Sequence, residues 1–488
     1  VDTVHLDFRG RVIQIDRLGN LATDTDGHGT HTSGSIVGNG TRSGTNAGTQ
    51  DYGQYLTTDP NDISEKVTGI APEAQLYFQA IADYHPRRGL TLGGLPSDLN
   101  QLFQTPYNAG ARVHSNSWGS DAAGAYTTSS QDVDQFMWNN PDMLVTTSAG
   151  NAGIDADDNG YVDEDSMGSP ASAKNVLTVG ATENARTNGG VNPEDGFNDI
   201  VEVQCSGNDG GPAWRNCWPD DFDAGPTGPD YIGGTDNHGE MAAFSSRGPT
   251  DDGRIKPDVV APGTNILSVK SSQATDCGWG DGHDDYYCMM GGTSMSNPLT
   301  AGAVVLVQDW YEDIKLHANP SAALVKATLI NTAVDIAGYG HTGEEAALPI
   351  PNNHEGWGRV NLANVAADGR EFYDSDSAGT GATSSYQFAV AGGVPFKVTL
   401  VWSDYLGSTS ASIALVNDLD LVVTGPDGTF YGNVFSGGWS QIGGSADRIN
   451  NVENVYVQSA SAGTWTVTVT GYNTPYGPQP FALVVDGG

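Results

Sequence analysis

Three short segments carry side chains whose types and settings could do chemistry together. In Gly27-His28-Gly29-Thr30-His31 small residues flank an imidazole, so a helix can start there with the ring facing a cleft. Thr146-Thr147-Ser148-Ala149-Gly150-Asn151 reads as a strand ending in Gly-Asn. An amide at the C-terminal mouth of a parallel strand stands where α/β sheets bind ligands. Gly291-Gly292-Thr293-Ser294-Met295-Ser296-Asn297-Pro298 leads into a small apolar run over 299–307. Glycines before a serine at a helix start put its hydroxyl on the positive helix end, beside free backbone N–H groups. Singly, a turn, a strand cap and an N-cap account for these segments. In this order on one chain they supply a general base, an amide donor for an oxyanion and a nucleophile.

The elements that must position them are legible as patterns. Short aliphatic runs at 75–81, 112–116, 143–147 and 176–179 read as strands. A helix is expected to begin near Pro96, with Leu99, Leu102 and Phe103 on one face, and another over 131–139, burying Val133, Phe136 and Met137. Alternation of this kind over about 28–335 predicts parallel strands with crossover helices, an α/β core. After Arg370 the pattern changes. Residues 374–385 are Ser, Gly, Ala, Thr and Asp, which reads as a linker over 371–385 between a first domain at 1–370 and a second at 386–488. The second carries β-type runs at 386–390, 396–402, 419–424, 452–457, 464–470 and 481–485, with turns such as Pro426-Asp427-Gly428. That predicts an all-β sandwich or jelly roll.

Composition bounds the partners. Lys plus Arg is 21 against 59 for Asp plus Glu in 488 residues, a net charge of −38, which repels phosphate backbones and argues against nucleic acid. It also disfavours anionic membrane surfaces, and no run of about 18 apolar residues offers a membrane span. The chain opens at Val1 without an initiator Met or signal-peptide pattern, as a processed form or fragment would. Its four cysteines allow three pairings. The close spacing favours two local loops, Cys205 with Cys217 and Cys277 with Cys288, in a secreted protein.

With these motifs in hand, the sequence resembles the subtilisin-like serine proteases, the subtilases, over most of residues 1–365. Ser115-Asn116-Ser117-Trp118-Gly119 is similar to the family's substrate-binding strand. Phe244-Ser245-Ser246-Arg247-Gly248-Pro249 and Lys256-Pro257-Asp258-Val259-Val260-Ala261-Pro262-Gly263 match further family signatures. The tail, through Leu415-Val416-Asn417-Asp418-Leu419-Asp420-Leu421 and Asn450-Asn451-Val452-Glu453-Asn454-Val455, resembles the bacterial alkaline, oxidatively stable subtilases with a C-terminal β-barrel. The resemblance implies a subtilisin-like parallel sheet flanked by helices and a secreted, monomeric endopeptidase acting on protein or peptide substrates through an acyl-enzyme. Ser294 would be its nucleophile, His28 its base and Asn151 its side-chain oxyanion donor. Ser296-Asn297 departs from the family's usual Ala followed by Thr or Ser, and reads as a variant.

The resemblance also exposes a gap. Asp2, His5 and Asp7-Phe8 align with the later part of the family's Asp-Ser/Thr-Gly-x-Asp motif, which puts the triad Asp four residues before Asp2. The rivals are substitution by Asp2, Asp7 or Asp16, with Asp24 and Asp26 less well placed on the loop into His28, or a catalytically impaired relative that binds peptides. Ser117, Trp118 and Gly119 would offer one edge to an extended substrate, with Gly93 and Gly94 as the opposite edge or an ordinary loop. Asp155, Asp157, Asn159, Gly160 and Asp163 match positions 1, 3, 5, 6 and 9 of a Ca2+ loop. Its twelfth position is Ser166, leaving Asp165 to supply a further ligand; a solvated acidic turn is the alternative. In the tail, family analogy adds Asp418, Asp420 and Glu453 as Ca2+ candidates. Gly338-Tyr339-Gly340-His341-Thr342-Gly343 follows a helix-like run, not a strand, so it does not read as a dinucleotide site. His114, His238, His283 and His317 show no partner spacing.

Overall fold

The computed structural model describes residues 1–43, 67–156, 162–184, 240–275, 277–279, 286–336, 348–367 and 369–487. The strands of the first part are β1 (Val12–Arg17), β2 (Leu76–Ala80), β3 (Asp83–His85), β4 (Gly89–Thr91), β5 (Val113–Asn116), β6 (Leu144–Ser148), β7 (Leu177–Thr182), β8 (Val259–Pro262), β9 (Ile266–Val269) and β10 (Tyr287–Met290). Its helices are α1 (His28–Val37), α2 (Asn100–Asn108), α3 (Thr128–Asn139), α4 (Thr293–Asp309), α5 (Ala322–Thr332) and α6 (Leu362–Val365). Strands β5, β6, β7 and β8 pair in that order, all parallel, and β1 pairs with β2, also parallel. The expected α/β core is therefore present, with strand ends within a few residues of those read from the sequence. Phe103, Phe136 and Met137 from α2 and α3 join Leu144, Val145, Leu177 and Val259 of the sheet in one buried cluster. Helix α4 packs against the same strands.

The second part is built from β11 (Glu371–Ala378), β12 (Thr383–Val390), β13 (Phe396–Val401), β14 (Asp418–Gly425), β15 (Gly428–Ser436), β16 (Trp439–Ile442), β17 (Val452–Val457), β18 (Gly463–Asn473) and β19 (Gln479–Asp486). They form two antiparallel sheets, β11-β19-β13-β17 and β12-β18-β14-β15-β16. Phe396, Val398 and Leu483 of one meet Phe388, Leu421 and Val467 of the other in a shared buried cluster, the interdigitation expected of face-to-face sheets.

The linker expected over 371–385 is corrected here. Residues 371–378 are β11, paired with β19, and β12 starts at Thr383. Its Ser and Asp residues fall largely on exposed positions, which a sheet face open to water tolerates. Nor do the two parts keep separate cores. Every residue of α5 is buried, including Lys326, which pairs with Asp258 at 2.9 Å. Leu324, Leu329 and Ile330 share a cluster with Val401, Tyr456, Ala482 and Val484 of the second part. Polar groups cross the same boundary. Lys174, fully buried, pairs with Asp404 and donates to the Ala414 carbonyl at 2.8 Å, while Asn175 Nδ2 donates to the Asp404 carbonyl at 2.8 Å.

Candidate active site

Helix α1 begins at His28 because the chain before it is built to start a helix. Gly27 sits at φ 86°, and a Cβ there would stand 3.0 Å from that of Ala274. Asp24 supplies the cap: its carboxylate accepts Gly27 N–H at 3.0 Å and Thr30 N–H at 2.7 Å. The half-buried His28 ring faces the cleft also lined by Ser117, Trp118 and Gly119. Burial pushes its pKa below the ordinary imidazole value, against the opposing pull of Asp26 and Asp24, so the neutral form a general base needs is favoured. His31 has a different task. Buried between the Ile266 and Cys288 carbonyls (2.9 and 3.2 Å from Nε2), with its pKa lowered to about 4 by burial, it ties α1 to β9 and β10.

Ser294 is the second residue of α4, after Gly292 at φ 137°. Asn151 follows the C-terminal end of β6 and its Oδ1 accepts both the Thr293 N–H (2.9 Å) and the Thr293 hydroxyl (2.7 Å). That fixes the amide, and its Nδ2 lies 3.3 Å from where a Cβ on Gly292 would be. Two residues that sequence reasoning left without a role brace this turn. Thr293 orients the amide, and the Ser246 hydroxyl accepts Ala152 N–H at 3.1 Å while Ser246 N–H donates to the Gly150 carbonyl at 2.9 Å. The Ser294 hydroxyl donates to the Ser117 carbonyl at 3.3 Å, and the Ser117 hydroxyl donates to the Ser294 carbonyl at 2.9 Å. So Asn151, Ser294 and Ser117–Gly119 come together past the C-terminal ends of β5 and β6, the edge where α/β proteins bind ligands, and His28 lines the same cleft as Ser117–Gly119. Gly94 N–H donates to the Ile81 carbonyl at 2.9 Å, and Gly93 and Gly94 pack against Asp83 and the backbone at 18–19.

The rival aspartates are all engaged elsewhere. Asp2 accepts Ser272 N–H at 2.8 Å, Asp7 accepts the Tyr287 hydroxyl at 2.6 Å, and Asp16 accepts that of Tyr77. Asp24 caps α1, and Asp26 accepts the His28 backbone N–H at 3.3 Å. No carboxylate of the described residues hydrogen-bonds the His28 ring. Beside that ring a cleft of about 1010 Å3 runs between β2 and β5, with Ile36 of α1 and Val305 of α4 among its lining residues, and Leu102 and Pro106 of α2. This is at the upper end of ligand-pocket size, roughly 300–1,000 Å3. The facing edges of β2 and β5 pair with no other strand among the described residues.

The ion candidates fare differently. Asp155 is buried, and the Asp163 carboxylate accepts Ala156 N–H at 2.8 Å, closing the loop on itself. Ser166, at the twelfth position, accepts Arg247 N–H at 2.8 Å and so serves the scaffold. Asp165 N–H donates to the Gly248 carbonyl at 2.8 Å; Asp157, Asn159 and Gly160 lie outside the described residues. In the tail, Arg448 pairs with Asp418 (3.3 Å) and with Asp420, so the protein sets a cation of its own beside these acids. Burial, helped by neighbouring carboxylates, raises Asp418 to about 7 and pushes Glu453 well above the usual carboxylate range. Among the described residues no group of three or more His, Cys, Asp or Glu is arranged to hold a metal.

Cys277 and Cys288 form a disulfide. Cys205, Cys217, His238, His283 and the 338–343 glycine motif lie outside the described residues. His317 has a partner the sequence did not suggest, Asp374 at 2.8 Å, and half-buried His114 meets Gln79 at 3.0 Å. No helix of the described residues is long and apolar enough to cross a membrane.

Set against known proteins, residues 3–358 match the model of the subtilase family. A serine protease/ABC transporter B family protein, tagD, of Dictyostelium discoideum is 28% identical over 588 aligned positions, covering 100% of this chain and 30% of the relative. The serine protease AprX of Bacillus subtilis is 26% identical over 64% of this chain and 55% of its own length. The minor extracellular protease Vpr of Bacillus subtilis is 36% identical over 29% of this chain and 16% of its own. The chain spans under a third of the length of tagD and its homologues tagB and tagA. The solved structure of the patellamide maturation protease PatA is 19% identical, with a TM-score of 0.42 over 75% of this chain and 92% of that one.

Proposed function

The chain belongs to the subtilase family of serine peptidases, and on that premise we propose that it is a secreted endopeptidase working through Ser294, His28 and an aspartate delivered by one further strand. The Ser294 Oγ attacks the peptide carbonyl while its proton passes to the His28 ring. His28 then protonates the leaving amine, and later takes a proton from the water that releases the acyl group. The Asn151 amide and the Ser294 backbone N–H hold the oxyanion, in a site where the donors are already aimed. The single observation that carries this is the anchoring of Asn151 on Thr293, which sets an amide donor beside the nucleophile at a helix N-terminus.

Support for the further strand comes from the cleft. A strand there would have the β2 and β5 edges for hydrogen bonds and helices over both faces, the setting of a central parallel strand. Its C-terminal end would open beside His28. Support for secretion comes from the Cys277–Cys288 disulfide and from the extracellular relative Vpr. We also propose Ca2+ at the 155–166 loop, where buried Asp155 and the closing Asp163 would take part in holding it and rigidify the turn after Asn151.

The test is to join the upstream coding sequence to this chain and measure peptide hydrolysis. An Asp-Ser/Thr-Gly turn upstream, whose Asp→Ala variant loses roughly 3 × 10⁴ in kcat, is expected; that magnitude was measured for removal of the Asp within this family. Absence of that turn, or a loss below tenfold, refutes the triad and favours a peptide-binding role.

A further inference from the structure

Asn297 is an expensive residue where it stands. It is fully buried, inside α4, and directly before Pro298, a position that disfavours helical backbone. Its Oδ1 has no hydrogen-bond partner, and an orphaned buried acceptor costs stability. Its Nδ2, in contrast, donates to the Ser115 hydroxyl at 3.1 Å and the Ser117 hydroxyl at 3.3 Å, across the gap between α4 and the end of β5. The orientation of the amide is chemically determined. The Ser117 hydroxyl proton is already given to the Ser294 carbonyl, so Ser117 can only accept from Asn297.

We infer that Asn297 is a positioning residue, a clamp that holds the substrate-binding edge Ser117–Gly119 in register with Ser294. The chain of contacts runs from the Asn297 amide to the Ser117 hydroxyl, from there to the Ser294 carbonyl, and back through the Ser294 hydroxyl to the Ser117 carbonyl. With the clamp, the backbone on which an extended substrate pairs and the oxygen that attacks it move as one piece. A short misplacement of reacting groups is enough to slow attack. The inference rests on Ser294 as nucleophile and on Ser117–Gly119 as the substrate edge.

Two phosphonate probes separate this role from simple stability. A small alkyl fluorophosphonate needs only the nucleophile, whereas a tripeptidyl diphenyl phosphonate must also pair with the 117–119 edge. The rate of Ser294 modification by each is measured, by intact mass and peptide mapping, in the upstream-extended chain and its variants. Asn297→Leu should lower the peptidyl-to-alkyl rate ratio about tenfold, equivalent to about 1.4 kcal/mol. Ser115→Ala, a milder change that keeps the fold should Asn297→Leu not express, should lower it about threefold. Adding Asn297→Leu to Ser117→Ala should change the ratio little further, because the clamp acts through Ser117. A ratio within twofold of the parent in both Asn297→Leu and Ser115→Ala overturns the clamp. Absence of either adduct on Ser294 in the parent overturns the functional reading, and the clamp with it.

Discussion

Asn151 offers a way to separate fold from chemistry, because the two ends of its amide do different things. Oδ1 accepts the Thr293 N–H and hydroxyl at 2.9 and 2.7 Å, and Nδ2 is the end left for an oxyanion. Asn151→Asp keeps both accepted bonds, in charge-assisted form at the N-terminus of α4, so stability should change by less than about 1 kcal/mol. It replaces the donor with a negatively charged oxygen. Loss of one such donor costs about 10²–10³ in kcat, or about 2.7–4 kcal/mol, a magnitude measured in this same family, and repulsion adds to it. Asn151→Leu loses the donor and also strands two Thr293 donors, at about 1–3 kcal/mol each where they are buried. The expected pattern is therefore a similar kcat loss in both variants, little change in KM, and a lowered urea midpoint only in Asn151→Leu. Steady-state kinetics of the upstream-extended chain on a peptide substrate, with urea titrations alongside, reads all three quantities. A kcat loss below tenfold in Asn151→Asp, or a loss carried in KM, would refute the reasoning.

Glu355 is fully buried, and burial lifts its carboxyl to about 8 although Ile336 N–H and the Asn352 amide both donate to it at 3.0 Å. The folded state thus keeps a proton that the unfolded chain releases near 4.5, so stability falls as pH rises between those values, by up to about 5 kcal/mol. Glu355→Gln should be slightly less stable at pH 5 and more stable at pH 9, and parallel urea midpoints across that range would contradict this. Asp404→Asn leaves the Lys174 ammonium buried without its counter-charge, and is expected to cost about 3–5 kcal/mol. Because α5 joins both cores, the loss should appear as one shifted transition in calorimetry; a second part melting alone would be the contrary result. Asp157→Ala should abolish calorimetrically detected Ca2+ binding, and unchanged binding would remove the ion from the 155–166 loop.

The parallel strands β2, β5, β6 and β7 were legible as short runs, β6 and β7 because they are buried on both faces, and the candidate catalytic motifs because glycines and a proline punctuate them; the largely exposed β1 and the short β8 were not read. Polar strands were not: β15 and β16 alternate without a continuous apolar face, and β11 hides Phe372 and Tyr373 among Ser and Asp. The ion partner of the tail acids was hidden for a similar reason: Arg448, 28 and 30 residues away in sequence, pairs with Asp420 and Asp418 only in the fold. Asn297 stood out in sequence as a departure from the family pattern, but its reach to Ser115 and Ser117 depends on tertiary packing of α4 against β5, which no local pattern encodes.

In the proposed mechanism Ser294 is a nucleophile activated by His28. This is tested most directly by the pH dependence of phosphonate modification in the upstream-extended chain, with the adduct located by mass spectrometry. A single adduct, on Ser294, is expected. Its rate should rise with pH as the His28 ring loses its proton, reach a plateau, and collapse in His28→Ala. An adduct at another serine, or a rate on Ser294 indifferent to His28→Ala, would contradict that mechanism.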